Sequence, residues 1–355
     1  MVSVRRMIFP GFLPSFLKIR YYRWLKGYKI GKGSKISFFS YITCPKVDIG
    51  THCRIGPFTF VEASHEIKFG NYISISMLTN IRTGSIFVDN DTEIMDHVRI
   101  GGIHTQNSKI TIGKRVGIFP YAYINPSHEI ILEDGVGIGG SSHLFTHGAW
   151  MSKYDGYPVK YAPITLKKNV WLGWRVTILP GVTVGENSIL QADTLVAKNV
   201  PENSIVTGNP AKVRSLYVFK YSMEKKYQMI QDIMKDFVEY MNYLGIQGSY
   251  KFSENYSIVE FKTKKNKPYF DILIWHSDDI TNINTVLLEM KKKTKNIDVI
   301  VFASEVYSKI DSSLKNKEVS YFDLEQKILH GELTEHTSDV RMFLQRSGIT
   351  FDYFE

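Results

Sequence analysis

ITIGKRVGIFPYAYINPSHEIILEDGVGIGGSSHLF, residues 110–145, places an aliphatic side chain at Ile112, Ile118 and Ile124, and again at Leu132, Ile138 and Leu144. The step inside each triplet is six residues, and the step between the two triplets is eight. Upstream the same beat falls on Ile30, Ile36 and Ile42; on Ile49, Ile55 and Val61; on Phe69, Ile75 and Ile81; and on Val88, Ile94 and Ile100. Downstream it falls on Leu166, Leu172 and Ile178, then on Val184, Leu190 and Val196. Extra residues enter only between triplets, at every junction but the last, Ile178 to Val184. An α-helix returns its apolar stripe at three and four residues, and a hairpin sheet alternates with period two. Slippage confined to every third step instead defines an eighteen-residue unit with three faces, one corner of which tolerates insertions. Eight such coils predict a mainly β chain, a triangular parallel solenoid in which the periodic aliphatics stack inward in files. Glycine or another small residue often follows the inward one, which suits tight corners. EASHEI and NPSHEI recur 63 residues apart at one corner, a second sign of internal duplication.

The longest diagnostic stretch is PITLKKNVWLGWRVTILPGVTVGENSILQADTLVAKNVPENSIVTGNPAKV, residues 163–213. With its NVWLG, ILPGVTVG and GNPAKV fragments taken together, it resembles the hexapeptide-repeat acyltransferases, in particular the sugar and polysaccharide O-acetyltransferases. The resemblance covers residues 28 to about 214. It implies a left-handed β-helix, a homotrimer, acetyl-coenzyme A as the acyl donor and a hydroxyl or amine acceptor. Handedness and trimerisation come from the resemblance alone.

Between Leu144 and Leu166 the step is twenty-two residues. Long loops inside compact repeats are functional or disordered. Trp150, Tyr154, Tyr157 and Tyr161 make this one too aromatic for a disordered linker, and suit it to stacking on a sugar ring. Acyl transfer to a sugar hydroxyl needs a base that works near neutral pH, the task that suits histidine. It also needs a hydrogen-bond donor for the oxyanion, which corner amides can supply. Relatives place the catalytic histidine at the start of this loop, and His147 fits, with His143 as the alternative; where many relatives carry a second histidine stands Ala149. Asn125 and Glu129 are candidates to orient the imidazole. On the donor side Trp171, Ala192 and Lys198 match positions of the coenzyme A channel, and Lys212 matches a residue that meets the nucleotide phosphates, with Arg214 nearby. Two departures touch the groove: the relatives' GAGS reads QADT, Gln191 to Thr194, and a small residue has become Trp174.

Charge and termini set further bounds. The chain has 355 residues, 44 basic and 35 acidic side chains, and a formal charge of +9. That excess favours acidic partners such as a phosphorylated cofactor, an anionic glycan or a membrane surface. The only two cysteines, Cys44 and Cys53, lack metal-ligand spacing, so a reducing, cytoplasmic setting is the simpler reading. No apolar run reaches about 18 residues. Residues 1–27 are basic and aromatic, but Pro10 and Pro14 interrupt their apolar stretch and no small-residue cleavage site follows, so they are not read as a signal peptide. They read instead as a cap on the solenoid's open end or as a segment lying on the inner face of a membrane.

Residues 28–214 form the solenoid and residues 215–245 a helix, its seam being Met223, Tyr227, Ile230, Met234, Phe237, Met241 and Leu244. Residues 246–355 read as a small α/β domain, with strands at YSIVEF, YFDILIW and IDVIVFA and helices near 280–292, 323–330 and 337–347. The expected acceptor is a glycan, a nucleotide sugar or a lipid-linked sugar, with no nucleic acid and no metal. Three rivals stand beside it: N-acetylation of an amino sugar, a non-catalytic scaffold, and a zinc enzyme using His97, His104, His143 and His147, whose spacing does not match the zinc β-helix enzymes.

Overall fold

The computed structural model describes residues 10–149, 151–215, 221–265, 267–276, 282–293, 298–303, 307–311, 319–331 and 333–354. The chain divides into two units, Met1–Val218 and Phe219–Glu355.

In the first unit every one of the twenty-four periodic aliphatics and aromatics is buried, none more than 7% exposed. They stack in three files through parallel pairing. On one face Ile49, Phe69, Val88, Ile112, Leu132, Leu166 and Val184 are successive partners. On the next, Ile36, Ile55, Ile75, Ile94, Ile118, Ile138, Leu172 and Leu190 follow one another. The third carries Ile42, Val61, Ile81, Ile100, Ile124, Leu144, Ile178 and Val196. Two strands, Phe60–Phe69 and Asn80–Val88, run unbroken through the insertion-tolerant corner and join two faces into one sheet.

The other two corners turn through a residue in the left-handed region, three places after each inward residue. Phe39, His52, Phe58, Tyr72, Leu78, Asp91, His97, Arg115, Tyr121, Asn169, Arg175, Asn187 and Asp193 all have φ between 55° and 63°. Bulky side chains seldom adopt this conformation. Here the corner amides it presents bond the neighbouring coil, as His52 N does to Lys32 O and Tyr121 N to Asp96 O. A second ladder lies at the same corners and has no hydrophobic signature. Buried hydroxyls two places before an inward residue donate to carbonyls of the next coil: Ser34 to Gly50, Thr59 to Ser76, Thr79 to Met95, Thr92 to Gly113, Ser142 to Gly173 and Ser188 to Pro201, at 2.7–3.0 Å. They satisfy buried polar groups that would otherwise cost free energy.

The helix Ser15–Leu25 closes the open end. Tyr22 joins the solenoid core, stacks on Tyr28 at 5.4 Å and accepts a hydrogen bond from Ile42 N at 2.9 Å. Lys18 is wholly buried, and its ammonium donates to Ser37 O at 2.6 Å and Ser40 O at 3.0 Å. Burial lowers its pKa to about 8.

The second unit is a seven-stranded mixed sheet in sequence order. Three antiparallel strands, Gln247–Phe252, Tyr256–Lys262 and Pro268–Trp275, are followed by Asp298–Ala303, Val319–Asp323, Ile328–His330 and Asp352–Phe354. The helix Met223–Tyr243 packs Tyr227, Ile230, Met234, Phe237 and Met241 into the core of this unit, so its heptad seam faces the sheet. Helices Ile283–Lys293 and Glu335–Gln345 follow the expected placing. The helix expected near 323–330 is a hairpin instead. Asp323 accepts from Glu325 N at 2.9 Å and Gln326 N at 2.8 Å, and Lys327 turns through φ 59°, a local geometry that competes with a helix.

Candidate active site

The insertion after Leu144 is an arm with a closed base. His147–Gly148 pairs antiparallel with Lys160–Tyr161, and Ala162 N returns to Thr146 O at 3.0 Å. Thr146 is buried and ties the base to the preceding coil, donating to Asn125 O at 2.7 Å and accepting from His128 N at 2.8 Å. The arm itself stands in solvent. Its single 3-10 turn, Lys153–Asp155, is capped by Ser152, and Tyr154 is 98% exposed. Met151 and Tyr157 are exposed as well, while Trp150 lies outside the described residues.

His147 is half-buried at the foot of the arm. Its ring stacks on Tyr161, its cross-strand partner, at 5.6 Å, and its buried Nδ1 has no hydrogen-bond partner among the described residues. The imidazole lines a cleft of about 640 Å³ together with Asn80, Arg82, Arg99, Gly101, Gly102, Ile103, Tyr123 and Asn125. These are outward positions of the third face, brought into register by coil stacking: Asn80 lies beside Arg99 and Arg99 beside Tyr123. The two arginines differ. Arg82 is paired with Glu62 at 3.0 Å, whereas Arg99 lies over the Tyr123 ring at 5.6 Å and, among the described residues, has no carboxylate partner.

Of the two residues expected to orient His147, Asn125 lines the same cleft, but its own bonds are spent elsewhere. It accepts from Ser127 Oγ at 2.8 Å and donates to Tyr123 OH at 3.1 Å. Glu129 pairs with Lys109 at 3.0 Å. His143 is on the strand His143–Phe145, stacked on Phe145 at 5.7 Å, and does not line the cleft. His97 stacks on Tyr121 at a corner and His104 meets Ser64, so the four histidines point into different surroundings. No group of three potential metal ligands occurs among the described residues.

The donor-side residues lie on the later coils. Trp171 is on the second face, edge-on to Phe119 at 5.6 Å, and Trp174 is at the corner between the second and third faces. Each indole lies over a glycine of the preceding coil, where a Cβ would sit 2.3 Å from the Trp171 ring at Gly137 and 2.6 Å from the Trp174 ring at Gly140. Only glycine leaves room for them. One coil further on, Asp193 N bonds Trp174 O, which brings the QADT stretch to the Trp174 corner. Asp193 forms a two-pronged pair with Arg175 at 2.6 and 2.7 Å, which holds its carboxyl below the usual range, and Thr194 Oγ1 donates to Gln191 O at 2.7 Å. Ala192 and Lys198 are exposed, and Lys212 opens the strand Lys212–Ser215, paired with Thr207.

No family model matches the chain. Among curated proteins, a candidate acetyltransferase of Saccharomyces cerevisiae is 32% identical over 111 residues, which is 28% of this chain and 56% of that protein. WbbJ of Escherichia coli, a candidate O-acetyltransferase of lipopolysaccharide biosynthesis, is 27% identical over 183 residues, 49% of this chain and 83% of WbbJ. The repeat unit is a left-handed parallel β-helix, and the curated relatives that it matches are acetyltransferases. The chain spans about half the length of the yeast relative it matches. Among solved structures, a hexapeptide-repeat acetyltransferase of Vibrio cholerae complexed with acetyl-coenzyme A is 28% identical, with a TM-score of 0.30 over 34% of this chain and 66% of that one.

Within this β-helix, the sequence points to His147 and the arm as candidates but not to the wall opposite them. Arg99, Arg82 and Asn80 stand 48 to 67 residues before His147. On their strands they are ordinary outward polar residues, and only the stacking of coils makes them one side of a cleft. Gly140 was legible as a small residue at a corner, whereas Gly137 lies on the strand Gly137–Ile138, and neither was legible as a bed for an indole.

Proposed function

We propose that the chain transfers an acetyl group from acetyl-coenzyme A to a hydroxyl of a sugar, with His147 as general base. The observation that carries this reading is a half-buried imidazole, its Nδ1 without a partner among the described residues, lining a cleft of about 640 Å³ whose polar walls are Tyr123, Asn80, Asn125, Arg82 and Arg99. In the step, neutral His147 takes the hydroxyl proton as the oxygen attacks the thioester carbonyl. Backbone N–H groups stabilise the oxyanion. The C–S bond then breaks, and the imidazolium returns the proton to the departing thiolate. Arg99 gives the cleft a positive wall, which favours a glycan or nucleotide sugar bearing a carboxylate or phosphate. Tyr154, Tyr157 and Tyr161 supply rings for stacking on the sugar. On the donor side we assign the pantetheine arm to the surface of Trp171, Trp174 and Ala192, and the phosphates to Lys198 and Lys212. The name of WbbJ supports a hydroxyl acceptor over an amine.

The reading includes a homotrimer, in which the arm of one subunit completes the cleft of the next. An exposed apolar ridge supports it. Phe39, Phe58, Leu78, His97 and Tyr121 stand at one corner of successive coils, Phe39 stacked on Phe58 at 5.0 Å and His97 on Tyr121 at 4.9 Å. Patches of that kind mark interaction surfaces. Light scattering should report three chain masses; a single mass of 40.8 kDa would remove the shared-site part of the reading. Buried free thiols at Cys44 and Cys53 fit a reducing, cytoplasmic setting. Among the described residues no helix is long and apolar enough to cross a membrane. A lipid-linked acceptor would put the reaction at a membrane surface.

The covalent product tests the function. Incubated with acetyl-coenzyme A, a panel of neutral and anionic glycans and nucleotide sugars should gain acetyl groups that mild alkali removes, as it does an ester. An alkali-stable product would make the enzyme an N-acetyltransferase. No product across the panel, with no donor binding by calorimetry, would make the β-helix a scaffold.

A further inference from the structure

We infer that the N-terminal segment is a docking surface for an anionic membrane. The helix Ser15–Leu25 has two unlike sides. Its inner side plugs the solenoid through Lys18 and Tyr22, and Ser15 Oγ accepts a bond from Ile36 N at 2.9 Å. On the opposite side Phe16, Arg20 and Trp24 follow at four-residue steps and so form one stripe along the helix, with Leu17 beside them. Phe16 is 66% exposed, Trp24 73% and Leu25 75%, and Phe12, just before the helix, is 61%. A helix that merely capped the core would need apolar residues only on its inner side. The guanidinium of Arg20 lies over the Trp24 ring at 4.5 Å, so one cation and one large aromatic are offered together.

Charge identifies the occupant. Residues 1–47 contain ten lysines and arginines and no aspartate or glutamate, while the remaining 308 residues hold 34 basic and 35 acidic side chains. Lys18 is buried and Lys46 pairs with Glu66, but the other eight cations have no acidic residue among their neighbours in sequence. Aromatic and aliphatic side chains set among lysines and arginines enter the headgroup boundary of an anionic bilayer, where apolar burial and charge attraction act together. A purely polyanionic partner would use the charge and leave Phe16, Trp24 and Leu25 without a role. The anchored helix would then hold the solenoid at the bilayer by its N-terminal end, whatever acceptor the cleft takes.

Vesicle flotation with the full chain tests this, and its readout is binding rather than catalysis. The parent should float with phosphatidylcholine–phosphatidylglycerol vesicles, float poorly with phosphatidylcholine alone, and lose much of its binding at high salt. Arg20→Gln with Lys26→Gln should weaken binding about tenfold or more, each cation near the surface contributing about fivefold. Phe16→Ser with Trp24→Ser should weaken it about as much while leaving the melting temperature of the chain unchanged, because both side chains are exposed. Failure of the parent to float with anionic vesicles would overturn the inference without touching the acetyl-transfer reading. So would parent-like flotation of the Phe16 and Trp24 variant, or equal binding of that variant and the parent to a DNA duplex, which would mark a polyanion site.

Discussion

His147→Ala should lower turnover by ~10²–10⁴-fold, the range usual for loss of a general base, while donor binding and fold persist. A sugar hydroxyl attacks a thioester slowly unless its proton is removed as the bond forms, and no other imidazole lines the cleft. The fold should be spared because the His147 side chain gives the chain little support. Its ring contact is with Tyr161, and the arm's base is held by main-chain pairing and by Thr146. His143→Ala is the control. It loses its stacking on Phe145 and an edge contact with Tyr123 at 6.4 Å but no group that lines the cleft, so its turnover should stay within a few-fold of the parent. Turnover near the parent level in the His147 variant, measured with saturating acceptor, would remove histidine from the chemistry.

Ile138→Ala should destabilise the β-helix by about 2–5 kcal/mol. Ile138 is wholly buried in the second file, with Ile118 on one side and Leu172 on the other, so the lost side chain leaves a gap that neither neighbour can close without disturbing its own coil. Tyr154→Ala, at a fully exposed position on the arm, should change stability by less than about 0.5 kcal/mol. Denaturant unfolding of both variants measures the contrast. Comparable losses at the two positions would mean that the arm, and not the inward file alone, holds the unit together.

How far the sequence could be read follows from what each residue does. Ile118, Ile138 and Leu172 point inward because a six-residue turn returns them to the same side of the chain, so period alone reveals them. The corner hydroxyls of Ser34, Thr59, Thr79 and Ser142 have the same period, but polar residues two places before an aliphatic look like surface. Only burial shows that they form a ladder. His147 was legible through the loop that it opens. Arg99 was not, because its part in the site depends on which outward residue of an earlier coil stands across from the arm. Trp174 looked like an obstruction in the donor groove. In the fold it lies on Gly140, and the QADT stretch beside it is fixed by the Arg175–Asp193 pair and the Thr194 hydroxyl. In the second unit the three apolar strands announced themselves, whereas 323–330 reads as a helix in sequence, and the Asp323 side chain decided for a turn.

Acceptor-dependent release of coenzyme A from acetyl-coenzyme A tests the central claim most directly. The account predicts that the parent chain frees the thiol when a sugar acceptor is present, at a rate that follows acceptor concentration and collapses in the His147→Ala variant. Thiol release that ignores the acceptor, or that is equal in the parent and the variant, would contradict it.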